Sequence, residues 1–163
     1  MRQKGAPSDA LLSHGFPPVA APGSRVLILG SMLGQASLRA VEYYAHERNA
    51  FWRIMGDLLG AGLQLPYAQR LEKLKAAGIV LWDAIAACER VGSLDADIVG
   101  ASVNPNDFAA FFSVHRSIAH VSFNGAAPES GFRRLIPPRF GRAAAAAGLP
   151  AISQPGACGA QLC

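Results

Sequence analysis

The sequence predicts an α/β fold: one domain in which a parallel sheet carries helices on both faces. Three observations point there. Short, β-branched apolar runs recur along the chain, each halted by Gly, Asp or Asn. Between them lie segments whose apolar residues return at helical spacing. The alternation fills 163 residues, the length that one core ordinarily serves.

Residues 1–24 hold Pro7, Pro17, Pro18 and Pro22 with no periodicity and read as an irregular leader, leaving 25–163 as the single domain. Arg25-Val26-Leu27-Ile28-Leu29, halted by Gly30, is the first strand, apolar enough to be buried on both faces. Asn49 is a helix cap, followed by Phe51, Ile54, Met55, Leu58 and Leu59 as an apolar stripe. A second helix spans Tyr67 to Ala77 and stops at Gly78. Ile79-Val80-Leu81-Trp82 is the second strand, ended by Asp83. Asn104-Pro105-Asn106-Asp107 starts a helix over Phe108 to Val114. His120 to Phe123 is the third strand, broken by Asn124-Gly125 and followed by a helix to Leu135. After the alanine run 143–147, Pro150 to Ser153 reads as a fourth strand.

Composition narrows the function classes. The chain is 51% hydrophobic and 16% charged, which excludes an intrinsically disordered protein. No apolar run reaches the roughly 18 residues of a membrane span, and the N-terminus lacks the pattern of a secretory signal, so the expected location is the cytoplasm. Three cysteines, Cys88, Cys158 and Cys163, show no zinc spacing and are too few for a four-cysteine iron–sulfur site, so neither metal nor cofactor is expected. The net charge of +4 comes from twelve arginines and three lysines against 11 acidic residues. Arginine suits phosphate recognition, although a charge of this size is also ordinary on enzymes.

In an open parallel sheet, ligands bind beyond the carboxyl ends of the strands. Here those ends are Gly30-Ser31, Asp83, Asn124-Gly125 and Ser153-Gln154. The glycine-bearing loop Gly30 to Ser37 suits close backbone approach to a ligand or a plain tight turn, and it lacks the Lys-Ser/Thr ending of a phosphate loop. Asp83 is the one carboxylate at a strand end and a candidate general base. The segment Tyr43-Tyr44-Ala45-His46-Glu47-Arg48-Asn49-Ala50-Phe51-Trp52 gathers four aromatics, a histidine, an arginine and an amide. Rings beside an amide suit a pocket for an extruded nucleobase; equally, Asn49 is a cap, Phe51 and Trp52 are core and His46 is solvated. Arg133, Arg134, Arg139 and Arg142 cluster late in the chain, either at DNA phosphates or on a solvated face.

GSMLGQASL, YYAHERNAFW, LWDAIAACER, Val103-Asn104-Pro105-Asn106-Asp107-Phe108 and FNG, in that order, resemble the uracil-DNA glycosylase superfamily, and most closely its hypoxanthine (deoxyinosine) and uracil branch. The resemblance runs from about Gly15 to Arg134. It implies a three-layer α/β/α sandwich around a four-stranded parallel sheet, no metal, and hydrolytic removal of a deaminated base from DNA. It also implies that Asn49 is the catalytic amide, that Tyr44, Phe51 and Trp52 shape the base pocket, and that Asn124 bonds the base edge. Gly30, Ser31 and Gly34 would border the extruded nucleotide, with His46 and Ser153 as further substrate contacts and Arg48, Arg133 and Arg134 at DNA phosphates. No lysine lies near these residues, which favours a monofunctional enzyme over a strand-nicking one. Leu33 and Glu47 stand where the family usually has proline. The family continues from its last strand into a Ser/Pro-rich loop and a closing helix; here Ser153 and Pro155 alone stand in for that loop, and the C-terminal element reads as truncated. The expected partner is DNA containing a deaminated base, bound by a monomer. A catalytically impaired DNA-binding relative and a small-molecule nucleotide or nucleoside enzyme are the competing classes.

Overall fold

The computed structural model describes residues 11–135 and 152–153. In chain order the strands and helices are β1 (Leu11–His14), β2 (Val26–Gly30), α1 (Gln35–Ala40), α2 (Phe51–Leu59), α3 (Tyr67–Ala76), β3 (Ile79–Asp83), β4 (Ile85–Arg90), β5 (Asn104–Pro105), α4 (Phe108–Val114), β6 (His120–Phe123), α5 (Ala126–Leu135) and β7 (Ile152–Ser153). Single turns of 3-10 helix cover Asp95–Asp97 and Gly100–Ser102.

The parallel sheet is built on β2, which pairs with β3 from Val26↔Ile79 to Gly30↔Asp83 and with β6 from Val26↔His120 to Leu29↔Phe123. Ile152–Ser153 pair parallel beside β6. The period of two in β2 and β3 divides their side chains between two cores. Leu27, Leu29, Val80 and Trp82 pack with Phe108 and Phe111 of α4 and Phe132 of α5. Leu81 packs with Phe51, Trp52 and Met55 of α2 and Leu74 of α3, and Ile28 lies against that cluster. Helix starts follow the local chemistry. Asp107 caps α4, its carboxylate accepting the Ala110 N–H at 2.9 Å. Gly78, at φ +72°, turns the end of α3 into β3.

Four differences from the sequence reading have physical reasons. The stretch read as an irregular leader contains β1, and Val19 bridges to Leu81; the prolines flank these pairings instead of preventing them. A second, antiparallel sheet of order β1-β4-β5 accompanies the parallel one, where only a parallel sheet was expected. Its middle strand, Ile85-Ala86-Ala87-Cys88-Glu89-Arg90, is poor in β-branched residues and is fixed by partners distant in sequence. Gln35 to Ser37, read as the end of a loop, open the short helix α1, whose N-cap Gly34 offers no side-chain bond to announce it. In α2 the buried face carries Phe51, Trp52 and Met55, while Ile54 and Leu58 are exposed, because the two large rings take the core side. Arg139, Arg142 and the alanine run lie outside the described residues.

Candidate active site

The strands β2 and β3 end side by side at Gly30 and Asp83, and their ladder continues past the strand ends: the Ala84 N–H donates to the Gly30 carbonyl at 2.8 Å and the Ile85 N–H to the Ser31 carbonyl at 3.0 Å. Next to them β6 stops at Asn124, whose N–H donates to the Leu29 carbonyl at 3.0 Å. A pocket opens at this edge. Gly30, Ser31, Met32, Leu33 and Gly34 form one wall, continued by Ala36 and Ser37 of α1. Tyr44, His46 and Asn49 form a second stretch of the lining, and Asp83 and Asn124 come from the strand ends. The pocket is partly open to solvent and has a volume of about 20 Å³, room for one or two water molecules.

Local geometry fixes several of these groups. Tyr44 holds φ +56°, a region that L-residues other than Asn and Asp rarely occupy. Its ring stacks on Phe51 with centroids 4.1 Å apart. Asn49 precedes the N-cap position of α2, and its Oδ1 accepts the Phe51 N–H at 2.8 Å. That bond fixes the orientation of the amide and leaves Oδ1 a second lone pair. The Nδ1 of His46 accepts the Arg48 N–H at 3.2 Å, which places the proton of the neutral ring on Nε2. A Cβ at Gly30 would displace the Asp83 carboxylate, because it would collide with Oδ1.

Asp83 is 3% exposed and its Oδ2 has no hydrogen-bond partner. Burial pushes its carboxyl up to about 7, Asp95 adds to the rise, and Arg90 opposes it. Among the described residues no lysine or arginine side chain lines the pocket. A buried carboxyl beside amides and a ring, without a cation, is unsuited to an anion; it suits a neutral planar ligand next to a centre that gains positive charge.

Eight of the residues singled out from the sequence meet in this pocket: Gly30, Ser31, Gly34, Tyr44, His46, Asn49, Asp83 and Asn124. Others do not. Trp52 is 1% exposed in the core, where Nε1 donates to the Tyr43 carbonyl at 2.8 Å and Arg70 lies over its ring; the pocket-wall expectation for Trp52 is corrected, because its indole points into the helix-packing layer. Phe51 stands behind Tyr44 and supports it without lining the pocket. Arg48 is exposed on the turn before α2 and does not line the pocket. Arg133 and Arg134 are exposed on α5, and Arg133 pairs with Glu129 at 2.9 Å. The backbone of Ser153 pairs opposite Phe123; the side chain of Ser153 lies outside the described residues.

Sequence reading missed a second layer. Ser31 Oγ donates to Asp95, the Gln35 N–H donates to Ser93 Oγ at 2.9 Å, and the buried Arg90 guanidinium donates to the carbonyls of Leu33 and Ser93. The only sequence signal for this brace is the polar cluster 89–97 directly after a strand. Among the described residues no group of His, Cys, Asp and Glu is placed to hold a metal ion, and no helix is long and apolar enough to cross a membrane.

A pocket at the carboxyl edge of a parallel sheet, walled by a Gly-Ser loop and an aromatic segment ending in asparagine, defines a class when set beside known proteins. A Methanosarcina acetivorans protein assigned as a uracil DNA glycosylase, with a solution NMR structure, superposes on this fold with a TM-score of 0.65 at 33% identity, over 77% of this chain and 76% of that one. The chain therefore belongs to the uracil-DNA glycosylase superfamily. Within it, the chain falls in the hypoxanthine branch. The Hypoxanthine DNA glycosylase of Methanosarcina barkeri is 40% identical over 113 residues, 69% of this chain and 70% of the relative. That of Methanosarcina acetivorans is 35% identical over 116 residues, 71% and 72%. No family model matches the chain.

Proposed function

We propose that this protein is a monofunctional DNA glycosylase that extrudes hypoxanthine or uracil from DNA and hydrolyses its N-glycosidic bond, leaving an abasic site. The observation that carries the reading is the convergence of Asn49, Asp83, Asn124 and Tyr44 in one strand-end pocket. The family relationship supports it.

Cleavage of the glycosidic bond passes through a sugar with oxocarbenium character, so the site must hold a water, oppose positive charge and assist departure of the base. Asn49 has an amide with negligible basicity, and its acceptor oxygen, oriented by the Phe51 N–H, positions the attacking water. Asp83 in its ionised form stabilises the positive sugar and is the candidate to take the proton from that water. Asn124 offers both a donor and an acceptor to the base edge, Tyr44 supplies a face for stacking, and His46 donates from Nε2 toward the leaving base. Gly30, Ser31 and Gly34 leave the backbone open to the nucleotide. Arg48, Arg133 and Arg134 contact phosphates on either side, and Ser153 borders the base. Of the three lysines, Lys73 and Lys75 lie on α3 and neither lines the pocket, which supports hydrolysis without a Schiff base. The reading takes the chain as a monomer in the cytoplasm, with Ile152–Ser153 as the fourth strand of a three-layer α/β/α sandwich.

The test is to incubate the purified protein with duplexes containing hypoxanthine, uracil or only normal bases, and to cleave abasic sites with alkali. Cleavage confined to one or both damaged duplexes is expected, and no cleavage of any of them would overturn the reading.

A further inference from the structure

Ser31 lines the pocket, and its hydroxyl lies 2.7 and 2.8 Å from the two carboxylate oxygens of Asp95, 64 residues further along the chain. A carboxylate accepts hydrogen bonds and does not donate them, and a hydroxyl has a single proton. The proton of Ser31 is therefore committed to Asp95, and lone pairs are what Oγ offers to the pocket.

We propose that Asp95 is a positioning residue that locks Ser31 as an acceptor, and that this acceptor reads the ring N–H of a deaminated base. The inference rests on the glycosylase reading above and extends it to how the lesion is told from the parent base. Deamination of adenine turns the ring N1 from an acceptor into an N–H and the amino group into a carbonyl; deamination of cytosine does the same at N3 and C4. A locked acceptor pairs with the new N–H and faces the parent base lone pair to lone pair, leaving two acceptors unpaired. A serine free to rotate would donate to the parent base and discriminate against neither.

The structure holds the carboxylate where this requires. Asp95 stands at the end of the turn that Arg90 and Ser93 tie to the pocket loop: the Arg90 guanidinium, 1% exposed, donates to the Leu33 carbonyl and to the Ser93 carbonyl at 3.3 Å, and Ser93 Oγ accepts the Gln35 N–H at 2.9 Å. The loop and the turn are thus joined by hydrogen bonds at Ser31, Leu33 and Gln35, and the polarity of Ser31 is set by the fold.

The experiment measures kcat/KM for release of hypoxanthine and of unsubstituted purine, which presents a ring-nitrogen lone pair in place of the N–H. Wild type, Ser31→Ala, Asp95→Ala, Asp95→Asn and the Ser31→Ala/Asp95→Ala double variant are compared, with melting temperatures recorded. Ser31→Ala and Asp95→Ala should each lower the preference for hypoxanthine by about three- to tenfold, the gain from one hydrogen bond. The double variant should be no worse than either, because both remove the same interaction. In Asp95→Ala release of purine should rise, a change that structural damage does not produce. Asp95→Asn, whose amide oxygen still takes the proton, should keep most of the preference. An unchanged preference in Asp95→Ala, or both rates falling by one factor, would overturn the inference while leaving the glycosylase reading intact. Should Asp95→Ala not fold, the preference in Ser31→Ala decides in the same way. A wild type that releases no base from hypoxanthine, purine or uracil duplexes contradicts both.

Discussion

The two walls of the pocket are held by different physics. The Gly30–Gln35 loop is tied by polar bonds to a turn 57 to 64 residues away, through Arg90, Ser93 and Asp95. The Tyr43–Trp52 segment is held mainly by ring packing: Phe16 meets Tyr43 edge-on at 5.5 Å, Tyr44 stacks on Phe51, Phe51 meets Trp52 at 5.0 Å, and Trp52 meets Tyr67 at 5.9 Å, with the Trp52 Nε1–H donating to the Tyr43 carbonyl at 2.8 Å. Hydrogen bonds give direction and set which atoms donate, whereas packed rings give position with no polarity. The rings set the position of the second segment, and within it a hydrogen bond from the Phe51 N–H at 2.8 Å orients the Asn49 amide, the group to which the proposed chemistry gives the water.

Removing Trp52 attacks the packed wall at its root. Trp52→Ala should cost about 3–5 kcal/mol of stability, read as a lower denaturant midpoint. A loss below about 1 kcal/mol would show that the ring chain does not hold this wall.

Asp83 lies between the walls and couples stability to pH. Its folded carboxyl is raised from 3.8 to about 7, so the folded state binds the extra proton between those values. Stability associated with this group is fully present below about pH 4 and declines as pH rises to about 7. Asp83→Asn should remove that decline, leaving the variant more stable than wild type at pH 8 by up to a few kcal/mol, since a tenfold change in proton affinity is worth about 1.4 kcal/mol. In the same variant, base release should lose its rise with pH through about 7. Parallel melting curves of wild type and variant across pH 4–8 would refute the buried-acid account.

The polar wall predicts a smaller effect. Ser93→Ala leaves the Gln35 N–H without its side-chain partner and should cost about 1 kcal/mol, with base release falling more than the melting temperature implies. Equal, proportionate losses would mean that the turn supports folding alone. On α5, Arg134→Ala should reduce the salt dependence of DNA binding by about one ion, with the rate on bound substrate unchanged. An unaltered salt slope would remove Arg134 from the DNA-binding face.

The same contrast explains what the sequence disclosed. Val26–Leu29 and Ile79–Trp82 are legible as strands because they feed both cores and their sequences are wholly apolar, and His120–Phe123 because its apolar residues alternate, Val121 and Phe123 facing one core. Their ends then point to Gly30, Asp83 and Asn124, and the aromatic segment is conspicuous in composition. Ile85–Arg90 is concealed by its alanines and by partners in β1 and β5, and Leu11–His14 by its brevity. Trp52 and Tyr44 look alike in sequence; the left-handed backbone at Tyr44, which no pattern announces, is what turns one ring to the pocket while the other enters the core. The roles of Arg90, Ser93 and Asp95 are not legible in the sequence because their contacts to the pocket loop span 57 to 64 residues, with no periodicity to betray them.

The most direct test of the central claim is single-turnover release of hypoxanthine from duplex DNA by wild type and Asn49→Ala, with both melting curves measured. Loss of the water-positioning amide should slow release by about 10²–10³-fold. Loss of the Asn49–Phe51 hydrogen bond should lower stability by about 1 kcal/mol at most. Release by Asn49→Ala at the wild-type rate would contradict the assignment of this pocket as the site where the base is removed.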